Sequence, residues 1–88
     1  MKNKQALASL ALDLQRVAMG YHRGSNRMAG RFFEEAMKRR REIDLNTVKP
    51  YVSELLKKLD TLVSVQSPEQ AEKILTYSIL FQNAAVKS

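Results

Sequence analysis

The sequence predicts an all-α protein, an up-down antiparallel four-helix bundle. Apolar residues recur three and four positions apart throughout the chain, and no segment alternates apolar and polar residues as a half-buried strand does. Helix-ending and helix-starting residues also divide the chain into four segments joined by short connections, as an up-down bundle requires.

The first segment places Leu7, Leu10, Leu14, Val17 and Tyr21 on one face. Gly24-Ser25 follows; Gly suits the left-handed residue just after a helix end, and Ser suits the cap of the next helix. The second segment repeats the spacing with Met28, Phe32, Ala36 and Ile43, and a loop is expected around Asp44-Leu45-Asn46. The third carries Val48, Tyr51, Val52, Leu55, Leu59, Leu62 and Val63. Pro50 is compatible with it only if the helix begins within a turn, which sets the start at Asn46 or Thr47. The fourth start is the clearest. Ser67-Pro68-Glu69-Gln70 combines a capping Ser, Pro at the first helical position and a Gln that closes a capping box, and the helix runs from Glu69 to about Val86. Each segment then has about 17 to 20 residues, the equal lengths of a bundle.

One alternative fuses the first two segments into a long N-terminal helix followed by two shorter ones. At 100° per residue, Leu7, Leu10, Leu14, Tyr21, Met28, Phe32, Ala36 and Ile43 stay within an arc of about 80°, so the phase survives the supposed break. Such a helix would leave too little chain to cover it and would imply a dimer. Gly20, Gly24 and Gly30 favour the break, since each costs a helix interior up to about 1 kcal/mol relative to Ala.

The 88 residues make one domain, 1–88, with a single core. The absence of Cys excludes disulfides and thiolate metal sites and suits a reducing, cytoplasmic setting. Ala6 to Leu14 is apolar, but Ser9 and Asp13 interrupt it and Arg16 follows, so no run spans a bilayer.

The net charge of +6 has one source. Residues 16–41 contain eight basic residues and two acids, whereas the flanking regions nearly cancel. In a continuous helical frame, Arg16, Arg23, Arg27, Arg31, Lys38 and Arg41 fall on one stripe opposite the apolar face; if the segments are separate, the stripe becomes two patches. Five of the six are Arg, whose planar fork of donors fits carboxylate and phosphate. Local pairing with Glu34, and the helix dipole near Lys38 to Arg41, account for part of the charge as a plain solvated face. The stripe has little aromatic interleaving, so an acidic protein surface is the expected partner and nucleic acid the alternative.

In the fourth segment Ile74, Leu75, Tyr77, Ile79, Phe81, Ala85 and Val86 spread over an arc of about 200°, wider than a bundle helix buries, with Leu80 beyond it. A homodimer through Ile74, Tyr77, Leu80 and Phe81 is therefore expected.

Catalytic chemistry is thinly represented. His22 is the one His, with no orienting partner evident, and no cofactor or metal set is expected. In architecture the chain resembles histidine phosphotransfer domains. Their motif places Lys and Gly three and four residues after the His, where this chain has Ser25 and Asn26. Gly20-x-x-x-Gly24 resembles a membrane helix-packing motif, but Arg23 removes its apolar context. Arg16 and His22, with five residues between, resemble the Arg–His motif of HEPN ribonuclease domains over seven residues. That resemblance implies that Arg16 would stabilise a scissile phosphate and His22 would assist proton transfer, across a dimer interface. The leading expectation is a non-enzymatic, homodimeric helical module that holds an acidic protein through the Arg-rich face; nucleic-acid binding and the ribonuclease are the alternatives.

Overall fold

The computed structural model describes residues 2–62 and 67–87. Its first helix, α1 (Lys2–His22), stops at Gly24, whose φ of 82° lies in the left-handed region that side chains resist. The turn is a Schellman motif: Ser25 N–H donates to Gly20 C=O at 3.0 Å and Gly24 N–H to Tyr21 C=O at 2.9 Å. Ser25 then caps α2 (Asn26–Arg41), its hydroxyl accepting from the Met28 amide at 3.3 Å. The long fused helix is thus excluded.

The reversal resets the helical phase. On α2 the inward stripe is Ala29, Phe33, Ala36 and Arg40, followed by Ile43, whereas Met28 is exposed and Phe32 half-buried. The expected face was therefore displaced, because its continuity with the first segment belonged to a helix that does not form.

The third segment also departs from expectation. Lys49 precedes a proline, and that position disfavours helical ψ; it is extended at φ −63°, ψ 152°. The helix α3 (Pro50–Leu59) consequently begins with Pro50 as its first residue and has 10 residues, fewer than the length expected. Asp44, Leu45 and Asn46 do form the connection, as a 3-10 turn at Leu45–Thr47 capped by the Asp44 carboxylate on the Asn46 amide at 2.9 Å. Val63, assigned to this segment from its spacing, lies outside the described residues. The last helix, α4 (Pro68–Lys87), starts as its signals dictate, with Ser67 Oγ accepting from the Gln70 amide at 3.2 Å.

These elements form an all-α bundle with no strand among the described residues. α1 makes the two most extensive seams, with α2 and with α4. Asp13 meets Arg39 and Gly20 meets Ala29, so α2 runs antiparallel to α1; His22 meets Glu72 near the start of α4, whereas Leu7 and Ala84 line one cleft, so α4 is antiparallel as well. α3 contributes Val52, Leu56 and Leu59 to the core, where they join Leu10, Leu14, Val17, Ile74 and Phe81. Each large side chain so buried contributes roughly 1.5–3 kcal/mol.

Two glycines give opposite expectations. Gly24→Ala lowers stability by about 1 kcal/mol, since the penalty is purely conformational and nothing lies within 4 Å of the new Cβ. Gly30→Ala, exposed within α2 and equally uncrowded, raises it by up to about 1 kcal/mol. Thermal unfolding of the two variants checks both signs.

Candidate anion-binding face

With the chain reversed at Gly24, the basic residues of 16–41 do not share one stripe. They separate according to whether an acid reaches them. Arg16 stays on α1, where Asp13 lies 3.7 Å from its Nη1 and its guanidinium sits 5.8 Å from the centre of the Phe32 ring on α2. It lies at the α1–α2 seam, on a different helix from the α2 arginines, with its side chain still 49% exposed.

Arg39 and Arg40 looked like part of a surface run, but Arg40 turns inward and Arg39, half-exposed, leans onto the α1–α2 seam. Arg39 approaches Asp13 at 4.0 Å and Glu42 at 3.5 Å. Arg40 is only 9% exposed; it donates to Asp60 at the end of α3 at 2.8 Å and to the Ile43 carbonyl at 3.4 Å. Its guanidinium occupies an apolar slot in the 4-3-4 spacing of α2, and the stem of such a side chain packs like a hydrophobe. Lys38 pairs with Glu35 at 3.7 Å on the solvent side.

Four basic residues are left: Arg23 in the turn, and Arg27, Arg31 and Arg41 on α2. All four are exposed, and no acidic side chain among the described residues lies within ion-pair distance of any of them. At 100° per residue Arg27, Arg31, Lys38 and Arg41 fall within about 80° of one another on the side of α2 opposite its buried stripe. Glu34 shares that face without bonding to any of them. The face therefore presents four available guanidiniums from the turn to the end of α2. That geometry fits an extended anionic surface.

Arg16 and His22 do not converge. Six residues apart on one helix, they project about 120° from each other. His22 faces the other seam, 3.9 Å from Glu72 and edge-on to Tyr21, whereas Arg16 is held against Phe32. Within one chain they share no site. No group of three His, Cys, Asp or Glu residues among those described is placed to hold a metal ion, and no described helix is long and apolar enough to cross a membrane.

Asp13 is the group that sequence reasoning missed, having counted it only as an interruption of an apolar run. It is 8% exposed in the seam. Burial pushes its carboxyl above the usual aspartate range, with Glu35 adding to the rise, against the opposing pull of Arg39 and Arg16. Those two cations stand 4.0 and 3.7 Å away, beyond good hydrogen-bond distance, so they offset only part of the desolvation.

On the predicted dimer face, Ile74 and Phe81 are fully buried in the core and present no surface, Tyr77 is half-buried, and Leu80 alone of the four is exposed. Comparison of the chain with known protein families, curated proteins and solved structures finds no match, so the functional reading rests on its own residues.

The raised Asp13 carboxyl has a measurable consequence. Folding tightens its hold on a proton, so its contribution favours the fold below the ordinary aspartate pKa and is lost as pH rises through the raised value. In Asp13→Asn that loss disappears. The melting temperature of the variant minus that of the wild type should grow as pH is taken from strongly acidic to neutral and then level off; thermal melts across that range measure it.

Proposed function

We propose that the chain is a non-enzymatic interaction module whose outer α2 face, with the adjoining turn, holds an acidic protein surface. The observation that carries this reading is the sorting of the basic residues. Arg16, Lys38, Arg39 and Arg40 each meet an acid of the same chain, whereas Arg23, Arg27, Arg31 and Arg41 meet none among the described residues and are exposed along the turn and the outer side of α2. A guanidinium offers a planar fork of donors, so an unpaired row of them recognises carboxylates along a partner helix or loop and raises the association rate through its field.

An acidic protein is favoured over nucleic acid by what accompanies the arginines. The aromatic residues of α2 are Phe33, buried in the core, and Phe32, half-buried beneath Arg16, so the helix itself offers no exposed ring for a base to stack on.

Binding of a Glu-rich helical peptide and of a single-stranded oligonucleotide of matched charge, each followed by fluorescence anisotropy, tests the proposal. Reversal of Arg23, Arg27 and Arg31 to Glu should weaken peptide binding by at least about tenfold, or about 1.4 kcal/mol, with the circular dichroism spectrum unchanged. Rising salt should weaken it as well. Peptide binding indifferent to the triple reversal refutes the face, and tighter binding of the oligonucleotide at equal salt replaces the acidic protein with nucleic acid.

A further inference from the structure

The seam between α1 and α2 carries an apolar spot on its solvent side. Met19 and Met28 each precede a residue of the close contact between Gly20 and Ala29, where a Cβ on Gly20 would stand 3.2 Å from the Ala29 amide nitrogen. One step back along a helix turns a side chain by about 100°, and on antiparallel helices equal turns lead to the same side of their seam. The same construction puts Arg16 and Phe32 on that side, and there the guanidinium does lie 5.8 Å from the ring centre. Both methionines are left in solvent, Met19 44% and Met28 47% exposed.

Cations frame this spot. Arg16 lies three residues before Met19 and Arg23 four after it, and Arg31 lies three after Met28. Residues 14–33 contain four Arg and no acid. Acids of the surrounding chain are engaged or covered: Asp13, 3.7 Å from Arg16, is buried in the seam, Glu35 pairs with Lys38, and Glu72 meets His22 on the other flank of α1.

Resting on the reading of an acidic protein partner, we infer that the partner docks here as an amphipathic helix, with apolar residues on Met19 and Met28 and carboxylates on Arg16, Arg23 and Arg31. Charge selects the occupant. Anything laid on the methionines must approach these arginines, which attract carboxylates and repel a basic surface such as a second copy of the chain. Methionine suits the apolar contact, because its unbranched, polarizable side chain adapts to the shape set against it.

Spacing selects the helix. The Arg23 amide still donates to the Met19 carbonyl at 3.0 Å, so Arg23 keeps the register of α1 and stands about 10 Å along the axis from Arg16. A partner helix with carboxylates at i and i+7 and apolar residues at i+3 and i+4 repeats that separation on one face. A strand covers the same distance in about three residues, and residues three apart on a strand face opposite sides.

Two helical peptides of identical composition and charge test this by fluorescence anisotropy. One places Glu at i and i+7 around Leu at i+3 and i+4; the other moves the Leu pair to the opposite face. The first should bind at least about tenfold tighter. Met19→Gln combined with Met28→Gln should remove that preference and leave the affinity of the second peptide unchanged, with helicity retained because neither side chain belongs to the core. In methyl-labelled methionine NMR spectra the first peptide should shift Met19 and Met28 and leave the half-buried Met37 in place. Equal binding of the two peptides, or a preference that survives the double substitution, overturns the inference. Should both peptides then still be lost on reversal of Arg23, Arg27 and Arg31, the acidic-surface reading stands without it; binding of neither peptide to the wild type overturns both.

Discussion

The close approach of α1 and α2 around Gly20 and Gly24 is the constraint on which the other features depend. Gly24 accepts a left-handed backbone, and Gly20 lets the returning helix lie close: a Cβ at Gly20 would stand 3.2 Å from the Ala29 amide nitrogen. That contact draws the two helices near enough for Asp13 to reach Arg39 and for Arg16 to lie over Phe32. It also fixes which way α2 turns. With Ala29 against Gly20, the row Ala29, Phe33, Ala36 and Arg40 must face inward, and Arg27 and Arg31 are left in solvent. A local backbone conformation thereby decides which cations the fold uses and which it leaves available.

The electrostatics of the bundle follow from that packing. Cations that turn inward are matched by acids at the seams: Asp13 serves α1 and α2, and Asp60 ties α2 to the end of α3. The inward pairs differ in quality. Arg40 reaches Asp60 at 2.8 Å while that carboxylate keeps contact with water, whereas Asp13 is buried and attracts its two cations only from a distance. A buried charge with incomplete pairing favours its neutral form, and the raised carboxyl of Asp13 expresses this.

Much of the fold was legible in the residues, and the failures have identifiable causes. The turn at Gly24-Ser25 and the start at Ser67-Pro68 were readable because capping is local chemistry that tertiary contacts do not override. The inward face of α2 was misplaced because helical phase was carried across a break that resets it. The length of α3 was overestimated because Pro50 was treated as something a helix tolerates, although it also forbids helical geometry at Lys49. The charge site was legible as a region but not as a set. Little in the run Lys38-Arg39-Arg40-Arg41 says that Arg40 turns inward; only its position four residues after Ala36 carries that signal, and its charge masks it.

The brevity of α3 bears on how the molecule opens. Ten residues are fewer than an isolated helix needs to persist in water, so α3 holds its shape only while Val52, Leu56 and Leu59 remain docked and Arg40 grips Asp60. Released, it would melt as a unit, while the long seams of α1 with α2 and α4 stay closed. Amide hydrogens of α3 should accordingly exchange with solvent through a sub-global event of lower free energy than the one that frees the amides at the centre of α1.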